Sequence, residues 1–159
     1  MTRPQYHFQQ GVGLIEILVT IVILSVGLLG IVSMQTQALK NNNSALEHSI
    51  AVMQSYSITE AMLIARTAAI EGDFNLAIDE EPTTAIISEP QNSSEHQQKN
   101  LFAQTSLIEW RTSLRALLGE TATGSVACNG EKCNIVVQWD DGRATAGKSV
   151  QNIHVDIHL

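Results

Sequence analysis

The chain has 159 residues, 44% of them hydrophobic but only 4% aromatic, and a net charge of −7. That charge argues against binding nucleic acid through its phosphates, which needs clustered Lys and Arg. The scarcity of rings argues against a stacking surface for single strands. One domain of ordinary size fits the length, and if a long helix takes about 60 residues, roughly 90 remain for a small head with a modest core.

The N-terminus decides most of the reading. A short polar leader ends in Gly11, and an apolar run follows over residues 12–34, with Glu16 its only charged residue. About 23 residues rise roughly 34 Å as a helix, enough for a bilayer core of about 30 Å. The run is longer than the apolar region of a secretory signal, and small-residue cleavage would be expected after such a region, not before it. Arg3 favours a cytoplasmic leader with the bulk of the chain outside. A carboxylate inside such a helix costs about 2.5 kcal/mol or more at the membrane centre, so it is normally a functional group with a partner. A plain single-pass anchor is the alternative, and it gives Glu16 no purpose. Cutting after Gly11 would create a new α-amine near that carboxylate.

The junction Gly11-Val12-Gly13-Leu14-Ile15-Glu16 resembles the prepilin signature of type IV pilins and their relatives, in which a dedicated peptidase cuts after the glycine. The run Leu14-Ile15-Glu16-Ile17-Leu18-Val19, followed by Val22-Ile23-Leu24-Ser25-Val26-Gly27-Leu28-Leu29-Gly30, is most similar to minor pilins of the PilV type, the pilus modification proteins. The family usually has Phe where this chain has Val12, and Thr or Ser where it has Gly13. The resemblance implies cleavage between Gly11 and Val12, N-methylation of Val12, and pairing of Glu16 with the α-amine of Val12 during assembly. The amine is that of the same chain or of a neighbouring subunit. It also implies a lollipop plan of the α+β class, in which a long N-terminal helix packs on a small antiparallel sheet head with a second helix.

Beyond the apolar run, residues 35–71 contain no proline or glycine. Leu39, Leu46, Ile50, Met53, Ile58, Met62, Leu63, Ile64 and Ile70 recur at steps of three and four, a helical stripe offered to the head. Gly72-Asp73 is a stop signal. Residues 12–71 therefore read as one helix, about 90 Å long. Gly27 and Gly30 weaken it locally by up to about 1 kcal/mol each, which allows close packing in lipid or local melting in a filament. The divisions are a leader at 1–11, a membrane or filament-core half at 12–34, an amphipathic half at 35–72, an acidic loop region at 73–100 and a head at 101–159.

The loop region carries Asp73, Asp79, Glu80, Glu81, Glu89 and Glu95 with no Lys or Arg before Lys99, and Pro82 and Pro90 break it. It reads as a solvated connection with Ala85-Ile86-Ile87 as a short strand, or as a partner-facing loop. Residues 101–118 read as a helix with Leu107, Trp110, Leu114 and Leu117/Leu118 on its core side and Arg111 and Arg115 on a solvated one; Gly119 ends it. The Trp followed by leucines is also similar to the helix ahead of the first strand in the PilV type. A strand around 124–127, the run Asn134-Ile135-Val136-Val137-Gln138-Trp139, a turn at Asp140-Asp141-Gly142-Arg143 and an alternating strand at 152–159 give an antiparallel sheet of three or four strands.

Cys128 and Cys133, the two cysteines of the chain, bracket Asn129-Gly130-Glu131-Lys132. A disulfide across a hairpin turning at Asn129-Gly130 fits an oxidising periplasm, with free thiols or a metal as alternatives. His154, Asp156 and His158 alternate onto one strand face, where two imidazoles around a carboxylate are a possible metal or hydrolytic start, against a plain exposed face. No serine elbow, phosphate loop or HExxH pattern accompanies them, so the expectation is no enzyme, no cofactor and no metal.

The functional expectation is a minor pilin in the priming or tip complex that initiates a type IV pilus. Its expected partners are other minor pilins, the major pilin, prepilin peptidase, the inner-membrane assembly platform and, before assembly, membrane lipid. It would sit in the inner membrane with a periplasmic head, then in the surface pilus. The alternatives are a minor pseudopilin of type II secretion and a membrane-anchored periplasmic binding domain.

Overall fold

A computed structural model describes residues 13–82, 95–142 and 150–159, and of residues 95–97 the backbone alone. The calls on Gly11, Val12, Ala85-Ile86-Ile87 and Arg143 lie outside the described residues. In order, the elements are α1 (Leu14–Ile64), α2 (Arg66–Glu71), α3 (Glu95–Leu118), β1 (Thr123–Asn129), β2 (Lys132–Asp140) and β3 (Val150–His158). This is the expected α+β class: a long N-terminal helix, a further helix and a small antiparallel sheet. Two compact units divide the chain, Met1–Leu39 and Lys40–Leu159.

The single helix expected over 12–71 is corrected at Ala65, whose φ of −108° and ψ of 49° leave helical space. The offset re-aims α2 so that adjacent Ala68 and Ala69 both turn inward. Arg66, just past the break, donates to the Glu131 carboxylate at 2.7 Å and to the Leu159 carbonyl at 2.8 Å. The stop at Gly72 is a Schellman cap. Gly72 takes a φ of 92°, its N–H reaches the Ala69 carbonyl at 3.2 Å, and the Asp73 N–H reaches the Ala68 carbonyl at 2.9 Å.

In the second unit one core joins the helices to the inner face of the sheet. Helix α1 supplies Ala51, Ser55, Ile58 and Met62, at steps that keep one face. Helix α3 supplies Ala103, Leu107, Trp110, Leu114 and Leu118. Strand β2 is central, antiparallel to both neighbours, and buries every second residue: Cys133, Ile135, Val137 and Trp139. Inner-face rows run Gly124–Val137–Ile153, Val126–Ile135–Val155 and Cys128–Cys133–Ile157. The Trp110 ring lies so close over Gly124 that an added Cβ would come within 2.4 Å of it, which explains a glycine in mid-strand. The Trp110 indole N–H also donates to the Gln54 carbonyl at 2.9 Å, tying α3 to α1.

Three further expectations are corrected. Helix α3 begins at Glu95, six residues before the apolar pattern that marked it. The hairpin turns at Gly130-Glu131, because Asn129 pairs with Lys132 inside the ladder. Gly130 alone takes positive φ, 63°, as the first central residue of a type II′ turn requires. The start of the acidic region is held down: Phe74 and Leu76 are buried, and Leu76 exchanges two backbone hydrogen bonds with Val126, at 2.9 and 3.0 Å.

Candidate functional site

Helix α1 opens at Gly13, whose carbonyl accepts from the Glu16 N–H at 2.9 Å. Glu16 thus sits in the first turn, where the positive end of the helix dipole favours a carboxylate. Every side chain from Gly13 to Asn43 is exposed, and α1 contains a stretch long and apolar enough to cross a membrane, none of it buried within the chain. Three hydroxyls along it bond back to the helix. Thr20 donates to the Ile17 carbonyl at 2.8 Å, Ser25 to Ile21 at 2.7 Å and Thr36 to Val32 at 2.9 Å. Such back-bonds suit a helix in lipid or against other helices, where a free hydroxyl would be costly. The one acidic or basic side chain in the run is Glu16. The helix continues unbroken through Gly27 and Gly30.

The head displays no competing chemistry among the described residues. The disulfide joins Cys128 to Cys133, directly opposed in the β1–β2 register. The Asn75 side chain brackets it: its Oδ1 accepts from the Cys128 N–H at 2.6 Å, and its Nδ2 donates to the Cys128 carbonyl at 3.4 Å. His154, Asp156 and His158 share the outer face, but the two histidines stand four residues apart along β3, about 13 Å by the strand rise. Asp156 instead accepts from the Asn134 amide at 2.7 Å. No group of three or more His, Cys, Asp or Glu suited to a metal ion occurs among the described residues.

Arg111, expected on a solvated face, is buried. Its guanidinium donates to the Ala77 and Glu80 carbonyls, both at 2.9 Å, to Ile78 at 3.4 Å, and to the Thr123 hydroxyl. Thr123 in turn donates to Ile78 at 2.9 Å. Burial pushes the Arg111 guanidinium below the usual arginine value; Glu81 and Glu80 oppose the shift and Arg115 adds to it. Arg115 pairs with Glu81. The two arginines therefore hold the 77–81 segment on α3. Backbone acceptors carry no sequence signal, and the periodicity, which set Arg111 on a solvated face, gave no hint of this burial.

Residues 7–32 match the family model described as the prokaryotic N-terminal methylation motif. The match supports a prepilin-type protein of the type IV pilin or pseudopilin class, and it contains Gly11, Val12 and Glu16. The motif implies processing by prepilin peptidase and assembly with pilus components. Proteins with this motif are structural pilins, and the long apolar helix fits membrane anchoring. No curated protein and no solved structure matches the chain.

Proposed function

We propose that the protein is a minor pilin of a type IV pilus, of the PilV type, acting in the priming or tip complex that initiates assembly. The observation that carries this reading is the methylation motif at residues 7–32, whose large apolar residues from Leu14 to Val32 are all exposed. Prepilin peptidase cuts between Gly11 and Val12, and Val12 is then N-methylated. The new α-amine pairs with Glu16, four residues along and so one helical turn away. Pairing lets an ionised carboxylate enter an apolar bundle, where a stranded partner costs about 3–5 kcal/mol. Self-association is then the work of the apolar helix, and the head selects neighbours among other minor pilins and the major pilin. Before assembly the chain lies in the inner membrane with its head in the periplasm, beside the assembly platform.

A minor pseudopilin of type II secretion shares the leader, Glu16 and long helix. A deletion strain separates the two. The minor-pilin reading predicts loss of surface pili and twitching with enzyme secretion intact; lost secretion with normal pili would contradict it.

A further inference from the structure

Helix α1 begins at Leu14, so the bond between Gly11 and Val12 lies ahead of the helix and not within it. Inside a helix that bond would be closed to a peptidase: each turn holds the carbonyls and N–H groups of its neighbours, and the chain cannot straighten into a cleft. Hydropathy does not set this start. Val12, Leu14 and Ile15 are apolar on both sides of it, and in apolar surroundings a helix gains by growing until its N–H groups are bonded. The residue at the boundary is Gly13. Its carbonyl accepts the first bonds of the helix, from the Glu16 N–H at 2.9 Å and the Ile17 N–H at 3.4 Å. That is the N-cap position, yet glycine brings no side-chain oxygen to the free N–H groups of the first turn. Space does not demand glycine either. A Cβ added at Gly13 would find its nearest contact at Ile15 Cγ2, 3.8 Å away and an ordinary distance, whereas at Gly124 the Trp110 ring excludes one. What glycine supplies is reluctance: only proline is a poorer helix former.

We propose that Gly13 is a positioning residue for the cut. It stops α1 from growing back across Val12, and so keeps the scissile bond free to straighten in the peptidase. The inference rests on the processing proposed above and adds to it the residue that controls its rate. The cut is a hydrolysis: water adds across the Gly11–Val12 amide, leaving a carboxylate on Gly11 and the α-amine on Val12. Gly13 takes no part in that chemistry; it acts through the backbone ahead of it. The motif match at residues 7–32 includes Gly13 and supplies the enzyme, because the motif implies prepilin peptidase. Two other residues at position 13 separate the causes. Alanine, the strongest helix former, favours growth of the helix through this position. Serine is close to alanine in size but caps a helix from outside, so it holds the start at Leu14 by other means. A peptidase that merely needs a small residue here would treat the two alike.

The test is a time course of processing of the full chain in membranes of a host given prepilin peptidase, read by intact mass as loss of residues 1–11. Cleavage follows the population of the open form when opening is faster than cutting, and glycine to alanine changes the weight of the helical form about fivefold. Gly13→Ala is therefore expected to be cut about two- to fivefold more slowly than the native chain. Gly13→Ser is expected to restore a rate within about twofold of native. A second readout is amide hydrogen exchange of the uncut chain in micelles, where residues 14–16 should exchange more slowly in Gly13→Ala and at the native rate in Gly13→Ser. Gly13→Ala cut at the native rate would overturn the inference, as would equal slowing by both substitutions or slowing without the change in exchange. Those outcomes leave the pilin reading standing, since the native chain is cut in each. A native chain left whole by an active peptidase would overturn that reading and this inference with it.

Discussion

Glu16 and Arg111 are charged side chains whose surroundings give them opposite tasks. Glu16 is the one charged side chain of its apolar run, and on the proposed function its cation is the amine brought by processing or by a neighbour. Glu16→Ala is therefore expected to leave peptidase cleavage largely intact and to block incorporation into pili, read by immunoblot of sheared pili against membrane fractions; normal incorporation would remove this role. Arg111 donates through its two terminal nitrogens to three carbonyls and a hydroxyl of its own chain. Arg111→Met keeps much of the stem but strands those acceptors, each worth about 1–3 kcal/mol when buried and unpaired. Thermal unfolding of the detergent-solubilised chain should show destabilisation of about 3 kcal/mol, with faster proteolysis at 77–81. A change within 0.5 kcal/mol would show that the segment is held by other contacts. Glu16 was legible because one acid among apolar residues stands out; Arg111 was not, because its acceptors belong to the backbone.

Among the elements, strands were easier to read than helix boundaries. Strands β2 and β3 declare themselves by runs rich in β-branched residues, and the structure buries alternate residues of β2 and half-buries alternate residues of β3. The start of α3 was hidden because Glu95, Gln98 and Lys99 favour helix without apolar periodicity. The break at Ala65 was hidden more deeply, since alanine is the strongest helix former and the offset follows from what Arg66, Ala68 and Ala69 meet in the fold. Which residues of the expected α1 stripe meet the core needed the structure: Ile58 and Met62 are buried, whereas Leu46, Met53 and Leu63 are exposed. The disulfide closes a loop of sequence separation 5. In the chain-entropy model so short a loop contributes about 2 kcal/mol. Replacing Cys128 and Cys133 together by Ser should lower stability by about that amount in denaturant unfolding while the sheet still forms. A loss of all β signal in far-UV circular dichroism would contradict this, since Asn75 and Leu76 also hold this end of β1.

For the whole molecule, the division of labour follows from solvent. Residues 14–34 carry their apolar side chains outward and need lipid or other helices, whereas the second unit closes a core of its own. All of this depends on a cut after Gly11 that supplies Glu16 with an amine. Intact-mass and N-terminal analysis of the protein purified from a pilus-forming cell tests that cut directly. The account predicts a chain that starts at Val12 and carries one added methyl group on its α-amine. A chain that retains residues 1–11 in cells with active prepilin peptidase would contradict it.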